Sequence, residues 1–258
     1  MFSRVLMGSL ALLFIASSAL ADQRWQRVSA VTDALGGKEP VLEGLTLDLP
    51  LVAEDGSSVA LTVALEAELA EGEHLSSVQL FAPGNPRPEV ARFDLSPLAS
   101  PLNIATRIRL SESQQVVAVA TTSTGRAFLA TRDVRVTVSG CLAGDRGGRD
   151  MTMSTPRVAL AGTPSNGQPV AVRTLINHPM ETGLLPGGEP APDIKQQLVQ
   201  TLTVTMGGDP VIKARFFTGI SANPYVQFQM TPTSEGQLAL TWQDQNGDRM
   251  DATQDIRF

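Results

Sequence analysis

The chain of 258 residues has one cysteine, one tyrosine and two histidines, and only 18% of its residues are charged. Each shortage excludes a class of chemistry. A single cysteine, Cys141, closes no internal disulfide, so the fold must be held by its core. The histidines, His74 and His178, are far apart in sequence and lack metal-ligand spacing. A zinc site needs three or four clustered ligands, so neither a metal centre nor a cofactor is expected. The Lys and Arg residues are scattered and the formal net charge is -6, with no basic stripe or aromatic ladder, which argues against nucleic acid as a partner. No basic amphipathic helix offers itself to a membrane surface. No G-x-S-x-G, P-loop or G-x-G-x-x-G occurs, which removes the commonest hydrolase and nucleotide-binding readings. Asp244-Gln245-Asn246-Gly247-Asp248 has the acidity of a calcium loop, but lacks the glycine at the sixth loop position and has Asp255 where a bidentate Glu belongs. A hairpin turn accounts for it better.

The longest apolar run stands at the N-terminus. Arg4 precedes Val5–Leu20, and Ala19-Leu20-Ala21 has the A-x-A form of a cleavage site. Residues 1–21 are expected to be a cleaved signal peptide, with the mature chain starting at Asp22. The run is short for a membrane helix and ends in small residues, so an exported protein without a retained anchor is expected.

Beyond the signal, Trp25, Val28, Val31, Thr32 and Leu35 recur at near-helical spacing until Gly36-Gly37 stops the pattern. One short helix is expected there. From Leu45 the period changes to two, and runs such as Val59–Leu65, Ser77–Phe81, Ile104–Leu110, Gln115–Thr121 and Ala127–Val138 read as strands. Asp55-Gly56 and Thr124-Gly125 read as hairpin turns, and Ala82–Pro88 as a loop. A second block of strands begins near Pro156: Gln168–Ile176, Gln200–Met206, Val211–Phe217, Tyr225–Met230, Gln237–Trp242 and Asp251–Phe258, with hairpin signals at Asn166-Gly167 and Asn246-Gly247. Two blocks near 100 residues each, turning every 8 to 12, fit an all-β fold of two tandem immunoglobulin-like sandwiches with a short N-terminal helix.

Cys141 follows the last strand of the first block, where Val134, Val136 and Val138 alternate with Arg135 and Thr137. Ser139, Gly140, Leu142, Ala143 and Gly144 flank it, and Asp145-Arg146-Gly147-Gly148-Arg149 comes next. Free cysteines mostly sit in cores as small hydrophobes. A core cysteine would stand inside an alternating strand, whereas this one lies in a glycine-rich stretch, which favours a thiol put to use. It could stay free, link two copies in a disulfide-bonded homodimer, or carry a bound group. Arg146, Arg149 and His178 are candidates to favour the thiolate, the reactive form; solvated linker charge is the plainer account of the two arginines.

The first block resembles SoxY through Leu80-Phe81-Ala82-Pro83-Gly84-Asn85-Pro86, Pro88-Glu89-Val90-Ala91, Thr106-Arg107-Ile108-Arg109-Leu110, Val116-Val117-Ala118-Val119-Ala120 and Val136-Thr137-Val138-Ser139-Gly140-Cys141. The second is similar to SoxZ through Asn177-His178-Pro179-Met180-Glu181-Thr182-Gly183, Thr201-Leu202-Thr203-Val204, Gly219-Ile220-Ser221-Ala222-Asn223-Pro224-Tyr225 and Trp242-Gln243-Asp244 with Asn246-Gly247-Asp248. The resemblance implies a SoxY-like domain over residues 22–144, a linker over 145–157 and a SoxZ-like domain over 158–258. It implies two immunoglobulin-like sandwiches and a non-enzymatic carrier in periplasmic thiosulfate oxidation, with sulfur attached at Cys141. Its implied partners are a cytochrome complex that couples thiosulfate to the cysteine, a hydrolase that releases sulfate and a sulfur dehydrogenase. The family cysteine stands in Gly-Gly-Cys-Gly-Gly at a chain end. Here Ser139 and Leu142 intrude and the chain continues, so the arm is tethered on both sides.

Three other readings compete. Similar fused proteins accompany quinoprotein alcohol dehydrogenase systems. Tandem immunoglobulin-like domains also serve as binding scaffolds, in which Cys141→Ser would be silent. An enzyme with Cys141 as nucleophile and His178 as base would turn over a small sulfur compound unaided.

Overall fold

The computed structural model describes residues 23–139, 153–185 and 188–258. The chain enters through a 3-10 turn at Arg24–Arg27 and a helix, α1, at Ser29–Leu35. Gly36 ends the helix at φ 58°, a left-handed conformation that glycine adopts without a Cβ penalty, and its N–H is donated back to the carbonyls of Thr32 and Asp33. The helical spacing that starts at Trp25 is thus divided between two elements.

Among the described residues, all further regular structure is strand. The first half contributes β1 (Leu45–Asp48), β2 (Val52–Asp55), β3 (Val59–Leu65), β4 (Leu75–Phe81), β5 (Glu89–Leu95), β6 (Asn103–Ile108), β7 (Gln114–Thr122) and β8 (Ala127–Val138). The second contributes β9 (Arg157–Ala161), β10 (Val170–Leu175), β11 (Val199–Met206), β12 (Asp209–Phe216), β13 (Tyr225–Met230), β14 (Gly236–Asp244) and β15 (Arg249–Ile256). The all-β fold with a short N-terminal helix is as expected. Four strands escape a reading based on long alternating runs: β1, β2 and β9 are short, and β5 carries Arg92 and Asp94 on one face.

Two sheets form, and each contains strands of both halves. One runs β1-β3-β6-β13-β10-β9 and the other β15-β14-β11-β12-β5-β4-β7-β8-β2. The halves therefore join edge to edge, through β6 with β13 in the smaller sheet and β5 with β12 in the larger. Edge strands expose unpaired N–H and C=O groups, and the antiparallel pairs at this seam satisfy them. One continuous core lies between the sheets. Aromatic side chains carry it across the seam: Phe93 of β5 meets Phe216 of β12 edge-on at 6.5 Å, and Phe216 stacks on Trp242 of β14 at 5.6 Å. Trp242 also donates its Nε1–H to Thr174 Oγ1 on β10, tying one sheet to the other.

The Thr124-Gly125 and Asn246-Gly247 hairpins are as expected, joining β7 to β8 and β14 to β15. At the latter, Asp244 is buried, and its Oδ1 accepts the N–H groups of Asn246 and Asp248. Its carboxylate organises the turn. The expected hairpin at Asp55-Gly56 is corrected: β2 pairs in parallel with β8 whereas β3 pairs with β1 and β6, so this turn carries the chain from one sheet to the other. A turn signal specifies a reversal of direction but not a pairing partner.

Next to the β7–β8 hairpin, Glu73 accepts hydrogen bonds from the Thr124 hydroxyl and the Ala70 N–H, and pairs with Arg126 at 3.2 Å. Hydrogen bonding, from the Thr122 and Thr124 hydroxyls first, then from Ala70, holds its carboxyl at about 2, well below 4.5, with Arg126 adding to the same effect.

Candidate functional site

Of the residues the sequence marks for chemistry, Gly140, Cys141, Leu142, Ala143, Gly144, Arg146 and Arg149 lie outside the described residues. The structure describes the two ends from which their segment springs. On the upstream side, β8 ends at Val138 and Ser139 follows. The Val138 carbonyl accepts the Gly56 N–H at 2.8 Å, and the Val136 N–H is donated to Ser113 Oγ at 2.9 Å. The parallel pairing of β2 with β8, with Asp55 opposite Val138, holds the last residues before the arm in sheet geometry. Leu51, Val52 and Val138 are 64%, 52% and 48% exposed, so the edge that bears the arm presents apolar side chains to solvent.

On the downstream side, Met153 is buried, and Ser154 and Asn177 bind reciprocally: the Ser154 N–H to the Asn177 carbonyl, the Asn177 N–H to Ser154 Oγ. The described residues on either side of this segment are therefore held in place, those before it by the first half and those after it by the second.

His178 adjoins the Ser154–Asn177 pair and is buried. Its Nδ1 accepts the Met180 N–H at 3.0 Å, its own N–H is donated to Asn223 Oδ1, and its carbonyl accepts the Asn223 N–H at 2.7 Å. An Nδ1 that accepts a hydrogen bond has no proton of its own, so the ring here shapes a turn. Met180 takes a left-handed φ of 52°, and its sulfur accepts the Val199 N–H at 3.2 Å.

This knot is also a joint between the halves. Arg109, from the first half, donates through Nη1 to the Met180 carbonyl at 2.7 Å and through Nη2 to that of Pro179 at 3.0 Å. Asn85 supports it by donating to the Arg109 carbonyl and accepting the Ser111 N–H. A Cβ on Gly219 would fall 2.8 Å from Val90 Cγ2, and one on Gly188 2.8 Å from Pro86 Cβ; both glycines let the halves approach. Five of the stretches that carry the family likeness, 80–86, 88–91, 106–110, 177–183 and 219–225, thus meet at the joint. Sequence reasoning gave no role to Asn85, Arg109, Ser113 or Asn223; for Asn85, Arg109 and Asn223, presence in those stretches was the one signal, and Ser113 had none. Among the described residues, no group of three or more His, Cys, Asp or Glu is placed to hold a metal, and no helix is long and apolar enough to cross a membrane.

Comparison with known proteins gives two family matches in tandem. The model for the sulfur oxidation protein SoxY matches residues 31–141, ending on Cys141, and that for the sulphur oxidation protein SoxZ matches residues 159–255. Among solved structures, the sulfur carrier protein SoxY from Chlorobium limicola f. thiosulfatophilum is 27% identical, covering 44% of this chain and 99% of its own, with a TM-score of 0.37. A candidate superoxide reductase from Thermotoga maritima is 14% identical, covering 38% of this chain and 88% of its own, with a TM-score of 0.31. Superpositions this loose support no argument. No curated protein matches the chain.

Proposed function

Because the chain belongs to the SoxY and SoxZ families of sulfur oxidation proteins, joined in that order, we propose that it is an exported, periplasmic carrier that holds thiosulfate-derived sulfur covalently on Cys141 and presents it to partner enzymes. The observation that carries this reading is the position of the only cysteine: the SoxY match ends on it, two residues beyond Ser139, where the chain has just left a firmly paired strand.

The chemistry follows from sulfur bonding. The Cys141 thiolate and thiosulfate join through a new S–S bond with loss of two electrons, which a cytochrome partner accepts. Water then cleaves the S–SO3 bond, releasing sulfate and leaving a persulfide on Cys141 for further oxidation by a dehydrogenase. An S–S link is stable in transit and open to attack by the next thiolate or hydrolase, as a carrier requires. None of these steps asks this chain for an acid, a base or a metal. Its part is attachment and delivery.

Delivery has a geometric condition. Cys141 follows the strand end at Val138 by three residues, and an extended chain gains at most about 3.6 Å per residue, so its Cα stays within roughly 11 Å of that end. A partner must bring its active site to the β2–β8 edge, where exposed Leu51, Val52 and Val138 offer an apolar contact. The test is intact mass of the mature protein, as isolated, after reductant, and after loading with thiosulfate and an oxidising partner. The expected result is a reductant-removable adduct of sulfane sulfur or thiosulfate, absent from Cys141→Ser. A thiol that stays unmodified under loading overturns the reading and leaves the scaffold alternative.

A further inference from the structure

Where the halves meet on the outer face of the larger sheet, a cavity of about 570 Å³ opens. The first half lends it Arg87 and Glu89, the second Gln196, Arg215 and Phe217. A neighbouring hollow of about 430 Å³ shares Glu89, Arg215 and Phe217 and continues toward α1, where Asp33 and Arg92 are its further ionisable lining. The two form one groove across the seam.

Charge is placed unusually along it. In the β5–β12 pairing, Lys213 stands opposite Asp94, a complementary pair, but in the next register position on that face Arg215 stands opposite Arg92. Like charges directly opposite each other in an antiparallel pair cost stability. Arg92 is relieved by Asp94 at 2.8 Å. Arg87 and Arg215 have no ion-pair partner among the described residues. In a chain of net charge -6, two unpaired guanidinium groups beside one cavity mark a place where a carboxylate from outside would be held.

We propose that this groove docks an acidic peptide segment of a partner protein, with a carboxylate against Arg215 and Arg87 and an apolar side chain against Phe217. A free divalent oxyanion fits less well: it fills a small part of the groove and meets the repulsion of Glu89, whereas an extended chain can set its carboxylate by the arginines and turn a backbone N–H to Glu89. Neither half contains the groove alone, so it would report to a partner that both are joined. Its use in presentation rests on the carrier reading, but the binding does not involve Cys141.

Fluorescence anisotropy of a labelled peptide with Asp and Glu around a single Leu tests this on the full mature chain at low salt. The expected result is saturable binding that weakens as salt rises, a loss of about tenfold in Arg215→Gln, as for one charged hydrogen-bonding contact, with partial recovery in Arg215→Lys. Glu89→Gln should bind more tightly, and Cys141→Ser as the parent does, whatever the mass experiment shows. Arg215→Gln removes a like-charge pair, so its melting midpoint should not fall; Arg87→Gln gives a second loss variant if it does. No binding by the parent, equal binding by Arg215→Gln and Arg87→Gln, or displacement by sulfate at the same concentration as by unlabelled peptide would overturn the proposal.

Discussion

The larger sheet shows two ways to build one layer. In the first half its outer face is covered: Trp25, Val31 and Leu35, from the 3-10 turn and α1, pack on Phe81, Val117, Val119, Ala127 and Leu129. In the second half the same face is open, and Thr201, Thr203 and Thr205 on β11, with Thr241 and Gln243 on β14, alternate with the buried Leu202, Val204, Leu240 and Trp242. The difference is written into the strands. β7 runs Val116-Val117-Ala118-Val119-Ala120 because its two faces pack on different layers, while β11 and β14 keep the period of two that one dry and one wet face require. What remains open is the seam and the second half, where the arginine groove lies.

The largest effect should come from the core that both halves share. Phe216→Ala should cost about 3–5 kcal/mol in urea unfolding and act on the whole chain in one transition; loss of the second half alone would break the description of a shared core. Next, Gly219→Ala places a methyl against Val90 at the joint and should cost about 1–3 kcal/mol in the same urea unfolding.

The covered and open faces are compared directly by two opposite exchanges of the same pair of residues. Val119→Thr puts a hydroxyl under the helix and should cost about 1–3 kcal/mol, while Thr203→Val, on the open face, should stay within about 0.5 kcal/mol. Equal effects would mean that the helix is not a stable cover. The smallest effect concerns Glu73. Its folded carboxyl lies at about 2 against 4.5 ordinarily, so its contribution is fully present above pH 4.5 and is lost as pH falls toward 2. The stability difference between the parent and Glu73→Gln should shrink across that window; a gap that stays constant from pH 6 to 2.5 would contradict the assignment.

How much of this was legible depended on the range of the interactions involved. The strands Val59–Leu65, Ala127–Val138 and Tyr225–Met230 were read to the residue, because alternation and flanking turn residues are local. β2 was missed: its four residues are exposed except Ala53, so no pattern marks them, and it is a strand because β8 lies beside it. Likewise the position of Cys141 beyond a strand was plain, whereas the clamps at Gly56–Val138 and Ser154–Asn177 join residues distant in sequence. Arg109 and Asn223 sat within recognised stretches without a visible role, since their partners are backbone carbonyls and an N–H group of a turn distant from both in sequence.

The sequence by itself determined the all-β class, the helix stop at Gly36, most strand positions and a single thiol at the end of a strand, since each follows from side-chain periodicity, local φ preference or residue count. Tertiary structure decided that two blocks share both sheets, that β2 runs parallel to β8, that His178 shapes a turn and that Arg87 and Arg215 face one groove. These depend on which edges find each other and which charges are brought within reach, quantities that a one-dimensional pattern does not contain.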